Sequence, residues 1–305
     1  MNLPIQSSFS QATEPRSFPS AELPAFYDAA QDVLAVNYPT RWCTFGHHLT
    51  RNSLLRMGEI EQLVKTMSAA GQKSSCEIED TIDGLNARDA LSRLREIPSV
   101  IRLRDIDRFA SYDALMRDAL KQVKPHVKNV SGPMLRPEAA LVIASPYKRA
   151  KIRLDPAYTI HIQISGSRSV THCSETPMPI ANAEEFEQFV GSGVACQAIE
   201  DSIEAQSTIR HVAPGEALFA PAFVPYREQA HDEVSVSLAL SWRSRWSIQY
   251  EGACRLNARL RGKGAQPDPA RIYPSGNLGK GLAWRGWQAW DKVNARLNPV
   301  KGGRE

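Results

Sequence analysis

The sequence predicts a mainly β protein with helical extensions, built around a double-sheet jelly roll. Two stretches, residues 159–165 and residues 233–242, alternate strictly between polar or small and apolar side chains. Prolines and glycines follow the short strand-like runs, as in Pro214-Gly215 and Pro221. Side chains on a strand alternate between two faces, and short strands separated by such turns are typical of two packed antiparallel sheets.

In chain order, the sequence predicts four parts. Residues 1–24 are rich in Ser, Pro and Gln and are expected to form a loose arm, and residues 25–130 to form a mixed, mostly helical region. Residues 131–245 are expected to form the jelly-roll core, and residues 246–305 a basic helical extension. Helices are expected at residues 24–34, 52–70, 86–94, 111–127, 183–189, 253–260 and 278–297, and strands at residues 42–49, 99–103, 139–144, 159–165 and 170–173, between Gly215 and Pro221, and at residues 233–242.

The strand at residues 159–165 admits two interpretations. One face carries three isoleucines, and the other carries Thr159, His161, Gln163 and Ser165. The polar face either meets water, as in a sheet with one wet side, or lines the inside of a small barrel where a ligand binds. The turn residues on either side of the strand favour the interior.

Composition indicates a globular protein of the reducing cytoplasm. Its five cysteines are scattered and never form a Cys-x-x-Cys pair, which argues against a disulfide framework and a zinc site. No run of about 18 apolar residues exists, so no membrane partner is expected. The N-terminus shows no basic segment followed by an apolar one, and no secretory signal is expected.

The basic character of the chain lies in its C-terminal part. Residues 243–305 contain 13 Lys and Arg against 4 Asp and Glu, whereas the preceding residues contain 24 against 29. Three tryptophans recur at every third position of the last predicted helix. These features admit nucleic-acid binding, but packing of the tryptophans on the barrel or on a second subunit is favoured, because no nucleic-acid motif accompanies the charge.

The order of several short motifs resembles that of bacterial cupin-like proteins of the JmjC type, which are related to iron(II) and 2-oxoglutarate-dependent hydroxylases. The motifs cover most of the chain: Ser145-Pro146, Asp155-Pro156, Gln163-Ile-Ser-Gly166, Pro214-Gly215, the strand from Val234 and the helix beginning Arg255-Leu-Asn-Ala-Arg. The resemblance implies a cupin, or double-stranded β-helix, jelly roll.

The same resemblance implies where an iron site would lie. Aligning the Asp-Pro turn places Asp155 on the carboxylate ligand, but Arg153 on the first histidine and Tyr226 on the distal one. Arg168 falls on the basic residue that anchors 2-oxoglutarate. A guanidinium has no lone pair to offer a cation, and Arg153 should instead pair with Asp155, which lies two residues away on the same strand face.

We therefore expect a degenerate metal site and no cofactor. The pocket is expected to contain Arg153, Asp155, Thr159, His161, Gln163, Arg168 and Tyr226, and its cationic groups suit a small anionic ligand. The predicted function is that of a ligand-binding, regulatory or scaffold protein, as a homodimer or other homo-oligomer. Two alternatives stay open: a hydroxylase that uses iron(II) and 2-oxoglutarate in a rearranged site with Asp155 and His161, and an inert internal ion-pair network.

Overall fold

The computed structural model describes residues 23–79, 86–172, 182–205 and 207–297. The helices are α1 (Ala29–Asn37), α2 (Met57–Ala69), α3 (Ala87–Ser92), α4 (Ala110–Ser131), α5 (Ala183–Ser192), α6 (Gln197–Ala205), α7 (Arg245–Arg261) and α8 (Leu278–Leu297). The strands are β1 (Cys43–Gly46), β2 (Cys76–Glu79), β3 (Val100–Leu103), β4 (Leu135–Ala144), β5 (Tyr158–Ser165), β6 (Arg168–His172), β7 (Thr208–Val212), β8 (Glu216–Ala220), β9 (Tyr226–Ala230) and β10 (Ser235–Arg243). Within these ranges no helix is long and apolar enough to cross a membrane.

The strands form two antiparallel sheets. The large sheet has the order β1-β8-β5-β10-β4-β3-β2, and the small sheet has the order β7-β6-β9. The segment at residues 148–153 runs beside β9 and bonds to it irregularly, since the Ala150 amide donates to the Glu228 carbonyl at 2.8 Å and the Arg153 amide to the Tyr226 carbonyl at 2.8 Å. This arrangement is the predicted jelly roll, and the fold class is confirmed.

The two faces of β5 are buried in different surroundings. Ile160 and Ile162 belong to the main apolar cluster, which joins the large sheet to residues of α1, α2 and α4. Thr159, His161 and Gln163 point towards the small sheet and are only 5%, 3% and 0% exposed. Of the two interpretations of this strand, the interior one is correct.

A glycine turn carries the chain from the large sheet to the small one. Gly166 has a φ of +61°, and a Cβ atom there would lie 2.5 Å from the Val234 carbonyl oxygen. Only glycine fits both the left-handed backbone and the close approach. The turn places Arg168, the first residue of β6, in the interior with 3% exposure.

Several elements differ from the sequence-based expectation. The large sheet includes β2, which was not expected, beside β1 and β3, which lie within the strands expected at residues 42–49 and 99–103. The first helix begins at Ala29 because Phe26 forms a bridge with His47. α7 begins at Arg245, eight residues early, because the Ser244 and Ser247 side chains each accept the other's backbone amide in a capping box. Periodicity did not indicate β2, α6, β7 or β9.

Candidate functional site: a cationic cavity between the sheets

Three neighbouring strands of the large sheet build the floor of a cavity of about 200 Å³. The register of β4, β10 and β5 places two rows of side chains on the inner face: Ala140–Ala239–His161 and Glu138–Ser241–Thr159. Because the two alanines and the serine are small, they leave room above the floor. β3, the segment at residues 153–157 and β9 supply the remaining walls.

Five of the seven predicted pocket residues line this cavity, and two do not. Arg153, Asp155, Thr159, His161 and Tyr226 lie on its wall. The other two, Gln163 and Arg168, are buried behind it. The Gln163 amide nitrogen contacts the Ser165 carbonyl, the Gly166 carbonyl and the Ser235 hydroxyl at 2.9 Å each, and Arg168 lines a separate space of only about 10 Å³.

Arg153, Asp155 and Tyr226 form a hydrogen-bonded triad at the mouth of the cavity. Arg153 and Tyr226 are direct cross-strand partners, so their side chains lie on the same face. The Arg153 Nη2 donates to Asp155 Oδ1 at 3.0 Å, and the Tyr226 hydroxyl donates to Asp155 Oδ2. Arg153 also lies 4.0 Å from Glu77. Burial would raise the pKa of Asp155, but Arg153 and the Tyr226 hydroxyl hold it well below its usual range.

Two further ionic residues, Glu228 and Arg102, complete the polar interior, and sequence reasoning missed both. Arg168 Nη1 donates to Glu228 Oε1, and Arg102 Nη2 donates to Glu228 Oε2 at 3.3 Å. All three side chains are at most 7% exposed. Burial would raise the pKa of Glu228, but Arg168, His161 and Arg102 lower it to about 2. Glu228 lies two residues after Tyr226, so strand alternation could have indicated it.

His161 is a buried imidazole without a hydrogen-bond partner among the described residues. Neither of its ring nitrogens is paired, and Nδ1 lies 3.6 Å from Glu228 Oε1, which is too far for a hydrogen bond. Burial lowers the pKa of His161 to about 4. The nearby carboxylate of Glu228 acts in the opposite direction, but its effect is smaller. The ring is therefore neutral at pH 7.

The depressed pKa of His161 predicts a loss of stability in mild acid. The unfolded state takes up a proton near pH 6.5, whereas the folded state resists until about pH 4. His161 therefore contributes stability that is complete above pH 6.5 and is lost as the pH falls towards 4, on the order of 3 kcal/mol. We expect the free energy of unfolding to fall less steeply with decreasing pH for His161→Asn than for the wild type. Urea unfolding at a series of pH values between 8 and 4 measures this dependence. Equal slopes of the free energy of unfolding against pH for the two proteins would contradict this prediction. The free energies at pH 7–8, where His161 is neutral in both states, are the internal control.

The iron site that the sequence resemblance implies would require a particular set of donor atoms around Asp155. A facial triad requires two imidazoles and a carboxylate converging on one ion. Both oxygens of Asp155 are engaged by Arg153 and Tyr226. Burial, followed by the charge of Asp155, raises the pKa of Tyr226 far above its ordinary value, so its hydroxyl is not a phenolate ligand. In the described ranges, no group of three His, Cys, Asp or Glu side chains could hold a metal ion.

Three other histidines lie outside the lining of the cavity. His47 is 1% exposed and contacts the Gln163 carbonyl at 2.9 Å, which is a structural role. His172 stacks on Trp42 with ring centroids 4.5 Å apart and accepts from Arg210 at 3.1 Å. His211 is exposed and bonds Ser169 on the outer face of the small sheet.

Many basic side chains of the C-terminal part are engaged within the protein. Arg259 pairs with Asp291 at 2.6 Å, and Arg261 pairs with Glu187. Arg259 and Lys263 both lie over the ring of Trp287, with their charged groups 4.5 and 4.4 Å from its centroid. These contacts reduce the charge that this surface offers to phosphate groups.

Fold and site together define a jelly-roll protein with a buried polar cavity. No protein-family model and no curated protein sequence matches the chain. Solved structures do: ycfD, a ribosomal oxygenase of Escherichia coli, is 13% identical, with 88% of this chain and 68% of that one covered and a TM-score of 0.46. The α-ketoglutarate-dependent carbocyclase SnoK is 10% identical, with 70% and 83% covered and a TM-score of 0.46. A prolyl-4-hydroxylase of Pseudomonas putida is 12% identical, with 71% and 98% covered and a TM-score of 0.39.

At sequence identities of 10–13%, the similarity to these structures indicates the fold and nothing more. A related structure of the ribosomal oxygenase, 12% identical with 88% of this chain and 68% of that one covered and a TM-score of 0.45, contains cobalt and 2-oxoglutarate.

Proposed function

We propose that this chain binds a small carboxylate-bearing molecule between its sheets, without an iron centre, and acts as a ligand-binding, regulatory or scaffold protein. One observation carries the proposal. Cationic and imidazole groups around the cavity have polar atoms that are buried and lack a partner among the described residues: Arg102 Nε, Arg153 Nε and both ring nitrogens of His161. A buried donor left unpaired costs about 1–3 kcal/mol, and an anionic ligand would satisfy such groups.

The charge and the size of the cavity support the binding of a small anion. Four arginines and three carboxylates line it, which leaves a balance of one positive charge while His161 is neutral. A volume of about 200 Å³ corresponds to about seven water molecules at about 30 Å³ each. A metabolite with one or two carboxylates fits these limits, and guanidinium groups bind carboxylates with two parallel hydrogen bonds.

An outer cavity provides access from solvent. It has a volume of about 400 Å³ and shares Arg104, Arg153 and Asp155 with the inner one. Arg104 bonds Glu77 through two nitrogens, at 3.0 and 2.6 Å, and both side chains are nearly half exposed. A ligand entering here passes the Arg153–Asp155 pair before it reaches His161.

The proposed lack of iron is supported by the contacts of Asp155. A protonated guanidinium and a protonated phenol occupy its two oxygens, and neither group donates an electron pair to a metal at neutral pH. The alternative is an oxygenase with a rearranged site, and it is favoured by the position of Asp155 and His161 on the same cavity wall. The two proposals predict different results in one metal and ligand experiment.

We expect the purified protein to contain far less than one metal ion per chain and to bind 2-oxoglutarate or succinate in the presence of a chelator. Calorimetric titration measures the binding, and elemental analysis measures the metal. Arg102→Gln should weaken binding by roughly 10- to 100-fold, because a hydrogen bond to a charged group contributes about 1.5–3 kcal/mol. Arg117→Gln, an exposed arginine on α4, is the matched control and should bind like the wild type.

Stoichiometric iron together with decarboxylation of 2-oxoglutarate would overturn the proposal in favour of the oxygenase. Absence of binding to a panel of mono- and dicarboxylates would instead favour the inert ion-pair network.

A further inference from the structure

His161 is the side chain on the cavity wall that constrains the chemistry of a ligand most closely. It is 3% exposed, and neither of its ring nitrogens has a partner among the described residues. Because the ring is neutral at pH 7, it has one N–H that donates and one nitrogen lone pair that accepts. A ligand that satisfies this ring therefore needs a donor as well as acceptors.

The carboxylate beside His161 decides which ring nitrogen carries the proton. Nδ1 lies 3.6 Å from Glu228 Oε1, where a proton is attracted by the negative charge and a lone pair is repelled by it. The favoured tautomer therefore has its proton on Nδ1 and its lone pair on Nε2. Since Glu228 stands beside Nδ1, Nε2 is the nitrogen that remains for a ligand.

The unpaired nitrogens of the arginines around the cavity are donors. Arg102 Nε and Arg153 Nε are buried without a partner among the described residues, and both suit the oxygens of a carboxylate. A carboxylate only accepts hydrogen bonds, so it cannot pair with the lone pair of His161 Nε2. A ligand with carboxylates alone leaves this buried acceptor unsatisfied, which weakens its binding.

A hydroxyl group suits Nε2 better than an ammonium group does. The carboxylates nearest His161 are those of Glu228 and Asp155, and both oxygens of each are already paired with side chains of the protein. An ammonium group would bring three donors to one free lone pair, and a further positive charge to a cavity whose balance is already positive. A hydroxyl brings one donor and no charge.

We propose, building on the proposed function, that the ligand is a hydroxycarboxylic acid whose hydroxyl donates to His161 Nε2 while a carboxylate accepts from Arg102 and Arg153. The ring thereby selects among acids of similar size and charge. A keto oxygen only accepts hydrogen bonds, so an oxo acid leaves Nε2 unpaired, as does an acid with a methylene group at the same carbon. The cavity of about 200 Å³ has room for a short acid of the size of malate.

Calorimetric titration with three diacids of one carbon skeleton, in the presence of a chelator, tests the proposal. At the carbon next to one carboxylate, succinate has only hydrogens, malate has a hydroxyl and aspartate has an ammonium group. We expect one enantiomer of malate to bind roughly 10- to 100-fold more tightly than succinate, because it satisfies a buried acceptor that succinate leaves unpaired. Aspartate should bind no more tightly than succinate.

Two variants show whether the gain comes from the hydroxyl group. His161→Phe keeps a ring but has no acceptor, so malate and succinate should bind to it equally. Arg102→Gln removes a donor to the carboxylate that both acids share, so it should weaken both by a similar factor and keep the preference for malate. Thermal unfolding of each variant checks that the fold is intact.

The nitrogen NMR signals of the imidazole in the wild type provide a measurement that needs no variant. Their chemical shifts report hydrogen bonding at each ring nitrogen, and the shift of His161 Nε2 should change when malate binds but not when succinate binds. Equal affinities for malate and succinate, tighter binding of aspartate, or an Nε2 shift that malate leaves unchanged would overturn this inference and leave the proposed function standing. Absence of binding of all three acids would overturn both.

Discussion

Replacing Glu228 with glutamine is expected to lower the free energy of unfolding by about 3–5 kcal/mol, the usual cost of removing one partner from a buried ion pair. Glu228 is the acceptor for both Arg168 and Arg102, and all three side chains are at most 7% exposed. A neutral amide of the same size leaves two buried guanidinium groups without a counter-charge. Urea unfolding at pH 7 measures the change.

Glu96→Gln is the matched control for this variant. Glu96 pairs with Arg93 at 2.9 Å, but the two side chains are 67% and 50% exposed. Solvent screens such pairs, so the same chemical change should cost at most about 1 kcal/mol. Equal losses for the two variants would show that the buried network is not a source of stability.

The contribution of Glu228 to stability can also be measured by its dependence on pH. Its pKa is lowered from 4.5 to about 2, so its contribution to stability is complete above pH 4.5 and is lost as the pH falls towards 2. The stability of Glu228→Gln should therefore vary less than that of the wild type over this interval. This window overlaps that of His161 only between pH 4 and pH 4.5, so the two contributions can be separated.

Exchanging Arg153 and Tyr226 for histidines together is expected to create a metal site around Asp155. The two residues are direct cross-strand partners, and each contacts one oxygen of Asp155. Two imidazoles in these places would stand beside a carboxylate freed from its hydrogen bonds, which is the donor set of a facial triad. We expect about one Ni²⁺ or Co²⁺ per chain by calorimetry, together with a metal-dependent rise in melting temperature.

A single variant shows whether both histidines are needed to bind the metal. Arg153→His alone leaves Tyr226 bonded to Asp155 and should bind metal much more weakly than the double variant. A folded double variant that binds no metal would show that these positions do not converge as metal ligands. Stoichiometric metal on the wild type would show that its site is not degenerate.

The resemblance to the JmjC-type proteins predicted that Arg153, Asp155 and Tyr226 would line one pocket, because it aligns short local motifs. Asp155 precedes a proline, Arg153 lies two residues away, and the Pro-rich segment before Tyr226 fixes where β9 begins. The three side chains lie together because residues 148–153 pair with β9. Gln163 and Arg168 are buried on the interior side as expected, but they lie behind the cavity wall rather than on it.

By itself, the sequence determined the alternating strands, the turn at Gly166 and the last helix, which spans the predicted residues, and it favoured an interior position for the polar face of β5. Each of these depends on spacing between near neighbours or on the steric demands of one residue. Only the tertiary structure decided that Glu228 joins Arg168, 60 residues away, and Arg102, 126 residues away. Such contacts depend on the register of strands that are distant in sequence and on which sheet face each side chain occupies, and local periodicity does not encode either.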